Sequence, residues 1–219
     1  MLKYSNFHGE IIQGSTVDQV LRQYFPKQTG VFFDVGAFEP IRISNSYHFE
    51  QNGWDCYCFE ANPNLIPLLK SKRKNVYNYA ISNEDKNNTS FNIVHTNYDN
   101  SDWTASYSAI NLSEEYKVIF PMPPHSIEVI SVPQKTLNTI IKEEIPLLVN
   151  IDILSLDVEG GELNVLKGLD LEKYCPKIMV IENAINDLAI NEYLLKFGYR
   201  LDRHISYNQY FVHNSFVQE

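Results

Sequence analysis

The stretch Val31-Phe32-Phe33-Asp34-Val35-Gly36 decides the fold class of this chain. A short apolar run that ends in a glycine is typical of a buried strand followed by a tight turn. Four similar runs follow, with helical patterns between them, which indicates alternating strands and helices. These runs are Cys56 to Phe59, Val76 to Ala80, Ile153 to Asp157 and Ile178 to Asn183. The sequence therefore predicts an α/β fold with a mostly parallel central sheet flanked by helices.

Amphipathic patterns between the runs predict the helices. Val17, Val20, Leu21 and Tyr24 keep helical spacing, and Pro26 closes that helix. Further helices are expected at about residues 45–52, 62–69, 137–144, 163–169 and 188–197. Alternation over residues 199–205 and 209–213 predicts an antiparallel hairpin at the C-terminal end. We expect residues 1–219 to form a single domain, with an N-terminal helical segment at residues 1–30.

Between residues 95 and 125 the periodic pattern fails. A long irregular insertion in a compact domain is usually a lid or a binding loop, because ordering an idle loop costs conformational entropy. The sequence therefore predicts a substrate loop or lid at 95–125, with a merely variable connection as the alternative. Trp103, Tyr107 and Tyr116 are candidates for stacking on a ligand, although such aromatics more often pack a loop onto its own domain.

The chain carries 18 basic and 27 acidic side chains among its 219 residues, a formal net charge of −9. Contacts to nucleic-acid phosphates are built from clustered Lys and Arg, so this balance argues against a nucleic-acid partner. No apolar stretch reaches the ~20 residues that a membrane span requires, and residues 1–10 lack the features of a signal peptide. The sequence predicts a cytoplasmic protein and leaves its oligomeric state open.

Most of the predicted strands end in a carboxylate. Asp34, Glu60, Asp157 and Glu182 hold these positions, and Ala80 ends the third strand. In an open parallel sheet, ligands bind outside the carboxyl ends of the strands, where the strand order reverses. An acid after the second strand is suited to accept hydrogen bonds from two ribose hydroxyls, and Glu60 stands there.

The first turn, Gly36-Ala37-Phe38-Glu39-Pro40, separates two classes of cofactor. A dinucleotide site needs G-x-G-x-x-G so that the backbone can approach a pyrophosphate. This turn holds one glycine, and Glu39 would repel a pyrophosphate but attract the ammonium and sulfonium groups of S-adenosylmethionine. The turn favours a methyltransferase, with a nicotinamide-dependent Rossmann oxidoreductase as the alternative.

Several motifs between Val31 and Asn183 resemble one known family. They are Phe33 to Ala37, Ser44 to Tyr47, Gly53-Trp54, Phe59 to Pro63, Tyr79 to Ser82 and, most specific, Leu154-Ser155-Leu156-Asp157-Val158-Glu159-Gly160-Gly161-Glu162 with its continuation to Gly168. In this order they are similar to the FkbM family of S-adenosylmethionine-dependent methyltransferases. The stretch from His95 to His125 shows no such similarity, so the acceptor pocket is the least defined part.

The resemblance implies a Rossmann-like class I methyltransferase fold and O-methylation, most often of a hydroxyl on a sugar, a glycan or another small molecule. The matching motifs imply that the following residues bind the cofactor: Asp34, Gly36, Ala37, Phe38, Asn45, Glu60, Ala61, Asn62, Ala80, Ile81 and Asp157.

Transfer to a sugar hydroxyl needs a base or a metal, because the hydroxyl has a high pKa. Asp157, Glu159, Glu182 and Asn183 resemble the Mg²⁺ sites of related sugar and catechol methyltransferases. This resemblance implies that Asp157, Glu182 and Asn183 hold a divalent cation such as Mg²⁺ and that Glu159 acts as the base, with Asp157 and Glu159 as the catalytic residues. Three alternatives remain. Asp157 serves only to position ligands, Glu162 only caps the following helix, or a histidine, His48 or His204, is the base. A catalytically inactive binding module that kept the cofactor fold is a further alternative for the whole chain.

Overall fold

The computed structural model describes residues 7–95, 107–110, 112, 114 and 126–217. In the first part of the chain the elements are β1 (Ile11–Ile12), β2 (Ser15–Thr16), α1 (Val17–Tyr24), β3 (Val31–Val35), α2 (Tyr47–Gln51), β4 (Asp55–Phe59), α3 (Ile66–Lys72), β5 (Asn75–Tyr77), β6 (Ala80–Ile81) and β7 (Lys86–His95). In the second part they are β8 (Ser126–Lys135), α4 (Leu137–Glu144), β9 (Ile153–Leu156), α5 (Glu162–Lys167), α6 (Leu171–Tyr174), β10 (Ile178–Glu182), α7 (Leu188–Leu195), β11 (Tyr199–Ile205) and β12 (Asn208–His213).

The main sheet of the described chain has the strand order β11-β12-β10-β9-β3-β4-β5. The strands from β10 to β5 pair in parallel, whereas β12 is antiparallel to both β10 and β11. The predicted mixed α/β fold with a mostly parallel sheet is therefore confirmed, and the C-terminal hairpin is present. After β3 the chain builds the sheet first toward β5 and then, from β9, in the opposite direction, which places the reversal of strand order between β3 and β9.

The core lies on both faces of the main sheet. Phe32 and Phe33 are fully buried and, as neighbours in a strand, point to opposite faces. Phe33 belongs to the apolar cluster that includes Leu154 and Ile140 of α4. Phe32 belongs to the cluster that includes Leu21 of α1. The two-sided burial explains why β3 reads as a continuous apolar run rather than an alternating one.

The third predicted strand, Val76 to Ala80, is wrong in its extent. The structure divides it into β5, which ends at Tyr77 in the main sheet, and β6, which begins at Ala80 in a second sheet. Asn78 lies between the two and donates side-chain hydrogen bonds to the backbone oxygens of Glu60 (2.8 Å) and Ala61 (3.1 Å). These bonds hold the chain in the turn where main-sheet pairing stops, so Ala80 is not the end of a main-sheet strand.

The sequence pattern does not predict the second sheet, which has the order β6-β8-β7. It is dominated by a long antiparallel pair, β7 with β8, that leads into and out of the predicted substrate loop. Within that loop the structure describes His95, residues 107–110, Leu112 and Glu114, whereas Trp103 and Tyr116 lie outside the described residues. None of the helices in the described part of the chain is long and apolar enough to cross a membrane.

Candidate active site

A cavity opens at the carboxyl ends of β3, β4 and β9, where the strand order reverses. The cavity together with the open space at its mouth measures about 1130 Å³. All but one of the residues predicted to bind the cofactor line it. They are Asp34, Gly36, Ala37, Phe38, Asn45, Glu60, Ala61, Ala80, Ile81 and Asp157.

Asn62 is the one residue predicted to bind the cofactor that does not line this cavity. Its side-chain oxygen accepts a hydrogen bond from the backbone N–H of Asn64 (3.0 Å), and its own N–H donates to Glu60 Oε1 (2.7 Å). Asn62 is buried, with 2% of its surface exposed. It therefore shapes the turn after β4 and holds Glu60 in place.

Gly36 allows the first turn to approach the loop after β9. Its φ of +87° lies in the left-handed region that favours glycine. A Cβ atom at this position would lie 1.7 Å from the backbone oxygen of Asp157, far inside any van der Waals contact. The glycine is thus required by a close contact between two backbone segments, which brings Asp157 to the cavity.

Glu60 is fixed by backbone amides at the cavity wall. Its Oε2 accepts a hydrogen bond from the N–H of Phe38 (2.9 Å), and its Oε1 accepts one from the N–H of Asn62. Each carboxylate oxygen can accept a second hydrogen bond, so the group retains acceptor capacity toward the cavity. Burial raises the pKa of Glu60 to about 7, against the effect of these amides, which lower it.

Asp34 lies in a buried polar network rather than only at the cavity. Its carboxylate accepts a hydrogen bond from the Ser46 hydroxyl, and burial raises its pKa while the charge of Arg73 lowers it. Arg73 donates to Ser46 Oγ (2.6 Å) and to Ser44 Oγ (2.9 Å), and forms a buried ion pair with Glu50. The network joins β3, α2 and the end of α3 near the turn at Gly36.

The expected role of Glu39 is wrong. Its carboxylate pairs with Arg42 through two hydrogen bonds, one of 2.9 Å to Nε, and it is not among the described residues that line the cavity. Its charge is therefore largely neutralised by Arg42, three residues away. The charge of the first turn does not distinguish between cofactors, and the acidic character of the cavity comes from other residues.

Asp157, Glu159 and Glu182 form a compact cluster of carboxyl groups. One oxygen of each lies within 4.8 Å of the others. Burial raises the pKa of all three, and the charge of Asp157 raises those of Glu159 and Glu182 further. A hydrogen bond between Asp157 and Glu182 lowers the pKa of the former and raises that of the latter.

The loop after β9 directs Glu159 into the cavity. Glu159 has a φ of +57°, an uncommon conformation for a residue with a side chain. The loop is held by Glu162, whose Oε1 accepts hydrogen bonds from the N–H groups of Val158 (3.0 Å) and Gly160 (3.1 Å). Glu162 therefore stabilises the loop that precedes α5. The alternative that it caps the helix is not borne out, because these bonds go to N–H groups before the helix.

Asn183 does not join the acidic cluster. Its Oδ1 accepts a hydrogen bond from the N–H of Asp187 (2.7 Å), and its Nδ2 donates to Gln209 Oε1 (3.0 Å). It orders the loop before α7. Asp157 and Glu182 of the predicted metal set do lie in a compact group of acids, together with Glu159. The set of Asp157, Glu182 and Asn183 as ligands stays a prediction.

The two histidines considered as bases lie away from the cavity lining. His48 is buried in α2 against the ring of Phe7, with 4.4 Å between ring centroids. His204 is exposed on β11. Neither is among the described residues that line the cavity. The structure gives no support to a histidine base.

Two further residues reach the acidic cluster. Glu10, which the sequence analysis did not single out, lines the cavity, and burial together with the charge of Asp157 raises its pKa to about 7. Tyr107, from the predicted substrate loop, has its pKa raised by burial and then by the charges of Glu159 and Glu182. The loop therefore places at least one of its aromatic residues within electrostatic range of the acids.

A comparison with protein-family models matches residues 34–201 to the methyltransferase FkbM domain, over more than half of the chain. The chain belongs to the FkbM methyltransferase family. Searches of the curated proteins and of the solved structures found no match. The FkbM match contains the glycine turn, Glu60 and the cluster of Asp157, Glu159 and Glu182. It begins after Glu10 and ends before β12.

Proposed function

We propose that this FkbM-family chain is an S-adenosylmethionine-dependent O-methyltransferase with a Rossmann-like class I fold, acting on a hydroxyl of a sugar or glycan. The main supporting observation is the pairing of Glu60 with the Gly36 turn at the reversal of strand order. Glu60 is held by the backbone amides of Phe38 and Asn62 and also interacts with that of Ala61. Its carboxylate lines the cavity, where it is suited to accept a hydrogen bond from a ribose hydroxyl. We also propose that residues 1–219 function as one domain.

The chemistry of the cavity suits a cationic cofactor. Glu10, Asp34, Glu60, Asp157 and Glu159 line it, and no Lys, Arg or His is among its described lining residues. Carboxylates attract the ammonium and sulfonium groups of S-adenosylmethionine, and burial from water strengthens that attraction. Family membership also favours methyl transfer over the nicotinamide-dependent alternative, which is not supported.

Glu159 is the proposed base. It is 7% exposed, lines the cavity and accepts no hydrogen bond from any residue in the described ranges. Its free oxygens are suited to take the acceptor's hydroxyl proton. S-adenosylmethionine would supply the methyl group, its carbon–sulfur bond breaking as the oxygen–carbon bond forms. The cofactor's positive charge favours the ionised form of Glu159, which ties the base to cofactor binding. Asp157 and Glu182 interact with each other beside this base.

The same three acids also fit a divalent cation. Carboxylate oxygens are the ligands that hard cations prefer, and one oxygen each from Asp157, Glu159 and Glu182 lies within 4.8 Å of the others. A cation there would stabilise the alkoxide that develops on the acceptor. Asn183 would not be a ligand, because its side chain is engaged in the loop before α7.

Transfer of labelled methyl groups to monosaccharide and glycan acceptors, with and without EDTA, tests the proposal. We expect product with S-adenosylmethionine, and Glu159→Gln to lower kcat by roughly 100-fold or more while S-adenosylhomocysteine still binds. Glu192→Gln, which removes an exposed acid on α7, is the control for lost charge. Activity that survives EDTA would exclude the metal. Binding of S-adenosylhomocysteine without transfer to any hydroxyl acceptor would favour an inactive binding module.

A further inference from the structure

A short N-terminal segment, residues 7–10, crosses the cavity end of the sheet. Gly9 forms an isolated β-bridge with Ile43, and the N–H of Glu10 donates to Asn45 Oδ1 (3.2 Å). A Cβ at Gly9 would lie 2.8 Å from the backbone nitrogen of Asp18 and 3.0 Å from Asn45 Oδ1. The segment is therefore packed closely against residues of the cofactor site, although it precedes the part of the chain that matches the FkbM domain.

The Glu10 side chain is held from the opposite side by the C-terminal hairpin. Asn208 Nδ2 donates a hydrogen bond to Glu10 Oε2 (2.6 Å). Asn208 is 3% exposed and pairs with Glu182 between β12 and β10, so this bond fixes Glu10 beside the acidic cluster. Glu10 Oε1 accepts no hydrogen bond within the described part of the chain, and Glu10 lines the cavity.

A second observation points to a ligand at this place. Glu159 is more than nine-tenths buried, lines the same cavity and lacks a hydrogen-bond donor among the residues described. Two carboxyl groups at one end of the cavity thus have oxygens that the protein does not satisfy. A ligand with several hydroxyl or ammonium donors would satisfy them, whereas an anionic ligand would be repelled.

We propose that Glu10 binds the acceptor and that the acceptor site selects neutral or amine-bearing polyhydroxyl compounds over anionic ones. This inference rests on the proposed methyltransferase function and narrows its substrate class. A hydroxyl or ammonium group of the acceptor donates to Glu10 Oε1, and the hydroxyl to be methylated lies toward Glu159. The repulsion acts on phosphate and carboxylate groups, so sugar phosphates and uronic acids are poor acceptors.

Four matched hexose probes test the selection: glucose, glucosamine, glucose 6-phosphate and glucuronic acid, each with labelled S-adenosylmethionine. We expect glucosamine or glucose to exceed both anionic sugars in kcat/KM by roughly tenfold or more, since a hydrogen bond to a charged group is worth about that factor. Preference for an anionic probe would overturn the proposal. S-adenosylhomocysteine binding with transfer to none of the four would overturn the proposed acceptor class, whereas absence of S-adenosylhomocysteine binding would overturn the methyltransferase function itself.

Glu10→Gln isolates the residue, because the amide oxygen of glutamine can still accept the hydrogen bond from Asn208. We expect this variant to raise KM for the best neutral or amino sugar roughly tenfold, with kcat within twofold of wild type and a clearly smaller loss of affinity for S-adenosylhomocysteine. Glu192→Gln should change none of these quantities. An unchanged KM in Glu10→Gln, or an equal loss of S-adenosylhomocysteine affinity, would show that Glu10 does not bind the acceptor. The ranking of the four probes is measured on the wild-type enzyme, so it tests the proposed selection even if the variant fails to fold.

Discussion

At the scale of single residues, the site depends on the approach of two backbone segments at Gly36. Two separate properties require glycine at this position, the left-handed φ and the close contact with the Asp157 oxygen. A second glycine of the chain has only the first property, so the energetic cost of each can be measured. Gly14, in the turn between β1 and β2, has nearly the same φ of +85° but nothing within 4 Å of its Cβ position. The two glycines therefore form a matched pair.

We expect Gly36→Ala to lower the free energy of unfolding by at least about 3 kcal/mol, because the new methyl group forces the Asp157 loop away. Gly14→Ala should cost only about 1 kcal/mol, the strain of an alanine in the left-handed region. Urea denaturation of both variants measures the difference. Equal costs at the two positions would mean that the close contact at Gly36 contributes nothing to stability.

The residues of the site differ in how well the neighbouring sequence predicts their position in the fold. Gly36, Glu60 and Asp157 follow apolar strands, so sequence position alone indicates that they meet at one edge of a parallel sheet. Glu10 has no such signal, because only the pairing of residues 7–10 with distant segments brings it to the cavity. The sequence does not reveal the role of Glu39, because its ion pair with Arg42 forms only through the particular backbone conformation of the turn.

At the scale of elements, a buried arginine connects the helices and strands near the turn at Gly36. Arg73 follows α3 and donates to Glu50 of α2, to the backbone oxygen of Pro40 and to two serines before α2. Arg73 and Glu50 are 4% and 7% exposed. Removing one partner of such a pair leaves a buried charge without compensation.

We expect Arg73→Ala to lower the free energy of unfolding by about 3–5 kcal/mol. The same substitution in a Glu50→Gln background should cost clearly less, because the Glu50 carboxylate is then no longer left without compensation. A double-mutant cycle by chemical denaturation measures this coupling. Additive costs in the cycle would show that the two side chains stabilise the fold independently.

Elements with buried faces were predicted well from sequence. The range of α4, Leu137–Glu144, is the one that its pattern indicates, and the hairpin β11–β12 is present. The pattern does not predict the pair β7–β8, because several consecutive residues of each strand are exposed, such as the first three residues of β7. These stretches lack the alternation of apolar and polar residues that marks a half-buried strand. The third strand was overextended because apolar residues continue past Asn78 into β6.

At the scale of the whole molecule, the concentration of buried acids links stability to pH. Burial raises the pKa of Glu10, Glu60 and Glu162 from 4.5 to about 7. Below about pH 4.5 each group is protonated in both the folded and the unfolded chain. Between pH 4.5 and 7 the unfolded chain releases these protons while the folded chain retains them, so this contribution to stability is lost as pH rises.

We expect the free energy of unfolding of the ligand-free protein to fall between pH 5 and pH 8, with each group contributing up to roughly 3 kcal/mol. Glu162→Gln should reduce that fall, since glutamine does not titrate and its Oε1 can accept the bonds from Val158 and Gly160. Denaturation at both pH values provides the measurement, with Glu192→Gln as the exposed control. A Glu162→Gln slope equal to that of wild type would refute the assignment.

Part of the net charge of −9 is concentrated at the cavity, because several acidic residues converge where a cationic cofactor is proposed to bind. Calorimetric titration with S-adenosylhomocysteine, and separately with NAD, tests this central claim most directly. We predict saturable binding of one S-adenosylhomocysteine per chain, at least tenfold weaker in Glu60→Gln, and no binding of NAD. Absence of S-adenosylhomocysteine binding, or an affinity unchanged in Glu60→Gln, would contradict the account.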